Sequence, residues 1–336
     1  MIDVGINAAP LAAARTGVGR YIAGLLDALA AHPPAGVKAR PLFLPGAPAR
    51  GLRPLVKRLP FAYALAEAGR AAVLERERRR GLTVYHETNH AAPRFRGPVV
   101  LTVHDLSTVL HAETQERARA RHFARALRTR ARLAARVIVP TQAIAREVCE
   151  HLEVRPERVR AIHHGVDARF TPGAEPRRDF VLHSGAHDPR KGIDTLLAAL
   201  PRGSELVLAG PGHLPAPGVK ALGYVSDDEL LHLYRTCAVL VLPSLYEGFG
   251  LPLIEAMACG TPCIASDDPA LVEVSGGVAL HFPRDDVHAL EVLLERVLGD
   301  PALRGELAEK GIERARAFRW DECAARHVEV YREAAA

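Results

Sequence analysis

The chain has 336 residues, of which 48% are hydrophobic and 25% are charged; this is the composition of a globular protein, and it leaves room for two domains. The net charge is +5, and the five cysteines include no C-x-x-C pair, which argues against a disulfide framework or a structural zinc site. No apolar run approaches the ~20 residues of a membrane-spanning helix, and no secretory signal pattern opens the chain, so we expect a cytoplasmic protein.

Short apolar segments alternate with longer helical patterns along the chain. Six candidate strands precede residue 170, with the sequences IDVGIN, ARPLFL, LTVYHE, VVLTVHD, RVIVPT and VRAIHH. Six more follow residue 179, with the sequences FVLHSG, ELVLAG, VKALGY, AVLVLPS, PCIAS and VALHF. Several are apolar on both faces, as strands of a buried parallel sheet must be, and the alternation of strand and helix indicates two α/β doubly wound sheets.

The segment FTPGAEPRRD, residues 170–179, contains two prolines, a glycine and several charges, a pattern typical of a linker. It predicts an N-terminal domain at residues 1–172 and a C-terminal domain at residues 173–317. From the residue pattern alone, the last helix could pack on either domain. Because ligands of open parallel sheets bind at the carboxyl ends of the strands, the residues that follow strands are the candidates for a functional site.

Two features follow strands in the N-terminal half. Gly17 and Gly19 stand directly before an amphipathic helix, where glycines let the backbone approach a phosphate or a sugar. A plain helix start looks much the same, and the third glycine of the dinucleotide fingerprint is absent. His104 follows the strand VVLTV, where it could contact a substrate hydroxyl or simply pack at the strand edge. Asp105 is predicted to cap the segment after it.

Basic residues concentrate in two segments that are predicted to be helical. Residues 116–136 contain eight arginines and one acidic residue, and residues 50–80 contain nine basic and three acidic residues. Such faces can bind phosphate, nucleic acid or an anionic membrane surface, and a solvated face is an equally good interpretation. Aromatic residues are not interleaved with the arginines, so we expect no nucleic-acid partner.

Arg190 and Lys191 follow the strand FVLHSG, at a helix predicted to start between Pro189 and Gly192. Cations are disfavoured at a helix start because the helix dipole is already positive there, so their presence makes sense if an anion binds among them. Backbone N–H groups together with an arginine and a lysine form a phosphate site. The alternative is an exposed turn with solvated charges, and the Walker pattern is absent.

The sequence LYEGFGLPLIEAMACGTP, residues 245–262, places two carboxylates after the strand AVLVLPS. Glu247 lies in a glycine-rich loop, and Glu255 lies in a helix predicted to start near Pro252 and to end at Gly260. Carboxylates at two depths of one site suit two hydroxyl-bearing parts of one ligand, for example a sugar and a ribose. Stabilisation of the helix dipole would explain Glu255 in part and would leave Glu247 unexplained.

With these residues, the chain resembles the retaining glycosyltransferases of family 4, whose α/β GT-B fold has two Rossmann-like domains facing a cleft. The resemblance covers nearly the whole chain and rests on motifs in a fixed order. They are TGVGRY, VHDLS, VPTQAIAREV, HHGVDARFTPG, SGAHDPRKGIDTLLAAL and LGYVSDDELLHLYRTCAVLVLPSLYEGFG, which runs into EGFGLPLIEAMACGTP. Departures occur at Ala186, where the family often has arginine, and at His164, where many members have asparagine. The resemblance also implies that residues 318–336 pack back on the N-terminal domain.

The resemblance implies a role for each matching residue. Arg190 and Lys191 would bind the donor diphosphate, Glu247 would hold hydroxyls of the transferred sugar, and His104 would contact the sugar near the reacting carbon. Glu255 would hold the ribose of the nucleotide. Further donor contacts would come from Gly17, Gly223, Tyr224, Val225, Phe249, Gly250 and Leu251.

The implied reaction is transfer of a hexosyl group, mannosyl as first choice, from a nucleoside-diphosphate sugar with retention. GDP-mannose is the first choice of donor, and the acceptor would be a glycan or lipid-linked molecule of cell-envelope synthesis, with an anionic membrane surface bound by the basic helices at 50–80 and 116–136. No cofactor or metal is implied, because two cations and a helix dipole can stabilise the leaving diphosphate. The Asp-Asp pairs at 227–228, 267–268 and 285–286 fit helix caps better than metal ligands. A non-catalytic sugar-nucleotide-binding subunit with the same fold is the alternative.

Overall fold

A computed structural model describes residues 1–12, 17–44, 62–89, 93–110 and 117–336 of the chain. The polypeptide forms two compact units, each built around its own parallel sheet. The first unit contains residues 1–165 and 320–336, and the second contains residues 166–319. Each of the twelve predicted strand segments overlaps one of the observed strands, so the predicted α/β class with two doubly wound sheets is confirmed.

The first unit has a six-stranded sheet in the order β2-β1-β3-β4-β5-β6, with every pairing parallel. Its strands are β1 (Ile2–Asn7), β2 (Val37–Leu42), β3 (Val84–Glu87), β4 (Val99–Thr102), β5 (Arg136–Val139) and β6 (Val159–Ala161). The helices between them are α1 (Gly17–Ala31), α2 (Ala62–Arg79), α3 (Ser107–Leu110), α4 (Arg117–Leu133) and α5 (Gln142–Leu152). Parallel pairing places the carboxyl ends of all six strands at one edge of this sheet.

The second unit has a six-stranded parallel sheet in the order β12-β11-β10-β7-β8-β9. Its strands are β7 (Phe180–Ser184), β8 (Glu205–Ala209), β9 (Val219–Gly223), β10 (Val239–Leu242), β11 (Cys263–Ser266) and β12 (Leu280–Phe282). Its helices are α6 (Ile193–Ala199), α7 (Asp227–Thr236), α8 (Leu251–Ala258), α9 (Pro269–Ser275), α10 (Val287–Gly299) and α11 (Pro301–Ala315). The strand order reverses between β10 and β7, and ligands of such sheets bind at this switch point.

The units divide after Gly165, earlier than the boundary at residue 172 that the sequence predicted. The physical reason lies in the segment that was interpreted as a linker. The Val166 N–H donates to the Phe318 carbonyl at 3.0 Å, and Phe170 is buried against the Tyr234 ring in the core of the second unit. Apolar anchoring of this segment therefore makes it part of the second unit, in spite of its prolines and charges.

The last helix, α12 (Trp320–Ala335), lies in the first unit. The chain re-enters this unit at Trp320, whereas the predicted boundary was residue 318. Its Val328 and Tyr331 pack in the same core as α1. The Trp320 ring lies against Gly24, where an added Cβ would overlap the indole, and the Trp320 backbone lies equally close to Gly165. Two glycines thus make room for the start of this helix.

The three Asp-Asp pairs lie at helix starts, as predicted. Asp268 and Asp286 accept hydrogen bonds from backbone N–H groups in the first turns of α9 and α10. The pair at 227–228 differs, because Ser226 caps α7 in a capping box with Glu229 and the two aspartates occupy the first turn. All three pairs place negative charge at the positive end of a helix dipole.

The two basic segments form helices over Ala62–Arg79 and Arg117–Leu133, and residues 50–61 and 116 lie outside the described residues. Several of their arginines are held by the protein itself. Arg78 makes a bidentate contact with Glu75, and Arg130 of α4 pairs with Glu67 of α2. Arg128 donates two hydrogen bonds to a backbone carbonyl at the end of α5. None of the helices in the described ranges is both long enough and apolar enough to cross a membrane.

Candidate functional site

A tight turn follows β7 in the second unit and carries the two predicted cations. Pro189–Lys191 form a single 3-10 turn, and α6 begins only at Ile193. Asp188 caps the turn by accepting the Arg190 N–H at 2.9 Å, and the Arg190 guanidinium returns to the same carboxylate with contacts of 3.1 and 3.0 Å. Although burial favours the neutral acid, these hydrogen bonds hold the pKa of Asp188 below its ordinary value. The turn is therefore rigid, and Asp188 fixes the Arg190 side chain.

Gly192 ends this turn in the left-handed region, with φ of 61°. A Cβ at this position would overlap the carbonyl oxygen of Pro243, which belongs to the loop after β10. The absence of a side chain therefore lets the two loops touch, and the Leu245 N–H donates to the Arg190 carbonyl at 2.7 Å. From the sequence, Gly192 served only as a limit for the predicted helix start, and this role was not predicted.

Replacement of Gly192 by alanine should destabilise the second unit and weaken any ligand binding at the turn. Gly277 offers a matched control, because its φ is 81° and an added Cβ would meet nothing within 4 Å. Both variants suffer the left-handed strain of about 1–2 kcal/mol, and only Gly192→Ala adds an overlap costing about 1–3 kcal/mol. Urea unfolding of the two variants measures the difference; equal losses of stability would contradict the close approach of the two loops.

The structure brings the predicted lysine and the predicted loop glutamate together. The Lys191 Nζ lies 2.5 Å from Glu247 Oε1, and the Ser244 hydroxyl donates to the same oxygen at 2.9 Å. The Lys191 and Glu247 side chains are 24% and 13% exposed, so solvent screens this pair only in part. Lys191 and Glu247 stand at the carboxyl ends of the adjacent strands β7 and β10, where a ligand of this sheet would bind.

Asp268 holds the Glu247 loop in place through a hydrogen bond to its backbone. Its Oδ2 accepts the Glu247 N–H at 3.2 Å, while its Oδ1 caps α9 through the N–H groups of Ala270 and Leu271. Burial and the nearby Glu247 charge raise the pKa of Asp268 to about 6. The sequence predicted only the cap, because a bond to a backbone 21 residues earlier has no local signal.

Glu255 is less accessible than its predicted role suggested. It lies in α8, is 3% exposed and accepts the Tyr234 hydroxyl at 3.1 Å. The helix begins at Leu251 after Gly250, whose φ of 83° and close approach to Leu271 require glycine. Phe249 is buried and packs edge-on against Phe318, so its side chain belongs to the core while its backbone lies in the loop. The loop is thus anchored at both ends.

The predicted nucleobase region lies at the end of β9. Gly223 has φ of 68°, and its carbonyl accepts the Gly210 N–H at 2.7 Å. Tyr224 is exposed, and Val225 packs partly against the core. These two side chains line a cavity of about 470 Å³, together with Leu222 and the first turns of α7. A cavity of this size is in the range that small ligands occupy.

In the first unit, His104 lies just beyond the carboxyl end of β4. Its Nε2 lies 2.9 Å from the Thr88 carbonyl, and a carbonyl can only accept, so this nitrogen carries the proton. In the neutral ring Nδ1 is then an acceptor. The Tyr21 ring packs edge-on against the His104 ring, with 4.9 Å between the ring centroids. The ring centroid of His164, which stands where many family members have asparagine, lies 5.7 Å from that of His104. Asp105 accepts the Ser107 N–H at 2.9 Å, which confirms its predicted cap.

Gly17 is the first residue of α1, so the helix begins earlier than the sequence suggested, and Gly19 lies inside its first turn. No proline interrupts this turn. The residues directly before Gly17, 13–16, lie outside the described part of the chain.

A buried hydrogen-bonded chain behind His104 was not predicted. His327 of α12 lies 2.7 Å from the Cys323 carbonyl through Nδ1 and 2.8 Å from the Tyr21 hydroxyl through Nε2. The carbonyl fixes the proton on Nδ1, so Tyr21 donates to Nε2. Tyr21 then accepts from the Thr102 hydroxyl, which lies 3.0 Å away. One backbone carbonyl thus sets the direction of each bond.

The same chain continues to the other end of α12. Because Thr102 donates to Tyr21, it accepts from His86 Nε2 at 2.8 Å, and His86 Nδ1 accepts from the Tyr331 hydroxyl at 2.9 Å. Burial lowers the pKa of His86 well below its ordinary value, and it lowers that of His327 to about 4. Both rings are therefore neutral near pH 7. The sequence could not reveal this chain, because Tyr21 and His327 are 306 residues apart.

Two family models match the chain, one on each half. The model described as Glycosyltransferase Family 4 matches residues 15–170, and the model described as Glycosyl transferases group 1 matches residues 167–317. Together they span most of the chain and meet near the division between the two units. The two models match in the same order along the chain as the motifs on which the resemblance rests.

Among curated proteins, the chain is similar to an O-antigen chain mannosyltransferase B of Escherichia coli, with 27% identity over 74% of each chain. It spans 26% to 66% of the length of several further glycosyltransferases. Among solved structures, a sucrose-phosphate synthase of Thermosynechococcus elongatus gives a TM-score of 0.80 at 24% identity over 99% of both chains. HepE of Anabaena in complex with UDP gives 0.72 at 17% identity over 98% of this chain and 99% of that one. The chain therefore belongs to the group 1, family 4-like glycosyltransferases with the GT-B fold.

Proposed function

We propose that this protein transfers a hexosyl group from a nucleoside-diphosphate sugar, with mannose as the first choice of sugar and retention at the reacting carbon. The observation that carries the proposal is the contact of 2.5 Å between Lys191 and Glu247, with Arg190 fixed in the same turn. A cation and a carboxylate at one edge of the sheet match the two ends of such a donor, since the diphosphate is anionic and the sugar carries hydroxyl groups.

In the proposed donor complex, the diphosphate competes with Glu247 for the Lys191 ammonium. Glu247 is then released to accept hydrogen bonds from hydroxyls of the transferred sugar. The backbone N–H groups of residues 249–251 lie in the same loop, beside the left-handed Gly250. The Lys191–Glu247 pair thus keeps both groups in position before the donor arrives, which reduces the cost of ordering them on binding.

As the bond to the sugar breaks, negative charge grows on the leaving diphosphate. Lys191 and Arg190 stabilise that charge, and because Asp188 holds Arg190 in place, little reorganisation is needed. The proposal uses no metal, because these two cations supply the charge stabilisation. The leaving phosphate accepts the proton of the acceptor hydroxyl, which attacks on the same face of the sugar. In this proposal His104 contacts the sugar near the reacting carbon.

The nucleotide occupies the remaining predicted positions. Glu255 holds the ribose, and the base lies near residues 223–225, at the cavity beside Tyr224. Because Glu255 is buried beneath Tyr234, ribose binding would require either a small shift of the Tyr234 hydroxyl or a contact through it. GDP-mannose remains the first choice of donor because a similar protein is named as a mannosyltransferase. UDP sugars are the competing class because a protein of similar fold binds UDP.

The proposed acceptor is a glycan or a lipid-linked saccharide of the cell envelope, bound by the first unit. The name of the similar O-antigen mannosyltransferase supports an acceptor of this class. In this proposal the basic helices α2 and α4 bring the protein to the anionic membrane surface that carries a lipid-linked acceptor. The paired arginines of α2 reduce the charge that is available for such docking.

The first experiment is a thermal-shift panel with GDP, UDP, ADP and dTDP, each alone and as its sugar conjugate. A ligand that binds only the folded protein increases the free energy of unfolding, by about 2.7 kcal/mol at a ligand concentration of 100 Kd, and therefore raises the Tm. We expect GDP and GDP-mannose to raise the Tm most. A larger shift with a UDP sugar would replace the mannosyl proposal and keep the transferase. No shift with any nucleotide at millimolar concentration would contradict the donor site.

A further inference from the structure

The amino-terminal edge of the first unit's sheet holds a cavity of about 590 Å³. Its walls come from residues 97–99, 133–136 and 155–160, where strands β4, β5 and β6 begin. In a parallel sheet this edge is opposite to the one where His104 lies, and strands of four residues separate the two edges by roughly 13 Å. The cavity is therefore distinct from the candidate acceptor side of the same unit.

The cavity is strongly cationic. Its lining contains Arg136, Arg155, Arg158 and Arg160, with Glu157 as the acidic member. Two of these arginines share one carboxylate of α12, since Arg136 and Arg160 contact the same Glu333 oxygen at 2.7 and 2.9 Å. The hydrogen bond from Arg136, together with that from Arg160, lowers the pKa of Glu333, so this carboxylate is ionised. Four guanidinium groups thus face two carboxylates, and a net positive charge remains.

These arginines are held in place around the cavity. Arg160 also donates to the carbonyls of Glu157 and Val159, and Arg158 donates to the Arg132 carbonyl at 3.1 Å. Guanidinium groups that are already oriented lose little entropy when they bind an anion. At the rim, Leu133 is an apolar side chain that is 73% exposed. The cavity therefore combines fixed cations with one exposed apolar contact.

We propose that this cavity is a second anion site, which binds a phosphate-bearing small molecule or the phosphate of a lipid headgroup. Several arginine forks around one concave site suit an oxyanion with three or more acceptor oxygens, and phosphate is such a group. The volume fits a compact ligand, because small-molecule sites span about 300–1,000 Å³. The proposal does not depend on the donor site, because none of the residues that line this cavity is a proposed donor contact.

The test is calorimetric titration of the full chain with inorganic pyrophosphate. We expect two binding sites in the wild type, one at the cavity and one at the donor turn. Arg155→Gln combined with Arg158→Gln should remove the cavity site, and neither side chain belongs to the buried core, since Arg155 is exposed and Arg158 is half-buried. Arg202→Gln combined with Arg296→Gln, at two exposed arginines of the second unit, is the matched loss of two charges and should leave both sites. Pyrophosphate binding by the double variant equal to that of the wild type would overturn the proposal.

Lys191→Met separates this proposal from the proposed function. This variant should lose the donor-turn site and keep the cavity site, whereas the double variant at 155 and 158 should do the reverse. If the wild type binds one pyrophosphate and only the double variant abolishes it, the cavity site is supported and the donor site is not. If only Lys191→Met abolishes it, the cavity proposal is wrong and the donor site stands.

Flotation with phosphatidylglycerol vesicles identifies the source of the phosphate. Two arginines near an anionic surface contribute about 1 kcal/mol each to membrane binding. If lipid headgroups fill the cavity, the vesicle partition coefficient of the double variant should therefore be lower than that of the wild type by roughly tenfold or more. Pyrophosphate should then also release the wild type from the vesicles. Equal flotation of both proteins, with pyrophosphate binding lost in the double variant, assigns the site to a free phosphate compound.

Discussion

Replacement of Lys191 by methionine is expected to lower kcat/KM for the nucleotide-sugar donor by about 10²–10³-fold, the loss typical when one preorganised group that stabilises transition-state charge is removed. Methionine keeps the length of the side chain and removes the ammonium that contacts Glu247 at 2.5 Å. The fold should persist, because Lys191 lies at the protein surface and the Asp188–Arg190 turn does not depend on it. Steady-state kinetics with the donor identified by the thermal-shift panel measures the effect.

Lys310→Met is the matched control. Lys310 also contacts a glutamate at 2.5 Å, but that pair stands on one exposed face of α11, where Lys310 and Glu306 are 59% and 58% exposed. Exposed helix pairs of this kind contribute about 0.3–0.5 kcal/mol, so kcat/KM should not change. Equal activity of Lys191→Met and Lys310→Met would contradict the donor-phosphate role. A Lys191→Met protein that stays folded and loses turnover would exclude a purely scaffolding subunit.

The first unit is expected to lose stability as the pH falls from about 6.5 to about 4, because His86 and His327 are neutral when folded and take up protons when unfolded. Burial lowers the pKa of His327 to about 4, and it lowers that of His86 well below its ordinary value. The unfolded values are near 6.5, so the stabilisation is complete above that pH and is lost below it. At 1.36 kcal/mol per pH unit, His327 alone accounts for a loss on the order of 3 kcal/mol by pH 4.

Trp320 makes this measurement specific to the first unit. It is the single tryptophan of the chain and packs against Gly24 in that unit. Its fluorescence during urea unfolding reports the free energy of unfolding at each pH. His327→Gln keeps an acceptor for Tyr21 and removes the titrating ring, so its stability should depend less steeply on pH, by about one proton. His32→Gln, at an exposed position after α1, should show the same pH dependence of stability as the wild type. If the free energy of unfolding changes with pH at the same slope in all three proteins, the neutral state of the buried His327 ring is contradicted.

Most residues of the candidate donor site could be selected from the sequence because their signals are local. Glu247 follows a buried strand in a glycine-rich loop, and Arg190 and Lys191 follow another, so the rule that ligands bind at the carboxyl ends of strands selects them without any structure. The acid pairs at helix starts are equally local, since a cap bonds to a backbone two or three residues away. The role of Gly192 was missed, because its constraint comes from Pro243 on another loop.

The sequence by itself determined the twelve strands, the α/β class and the identity of the charged loop residues, because hydrophobic periodicity and caps depend on near neighbours. Only the tertiary structure decided where the units divide, since the anchoring of Val166 and Phe170 outweighs a composition typical of a linker. It also decided that Lys191 contacts Glu247, which depends on β7 lying beside β10 in the sheet. The buried histidine chain and the pairing of Arg136 and Arg160 with Glu333 both require α12 to return to the first unit, and such long-range packing has no local pattern in the sequence.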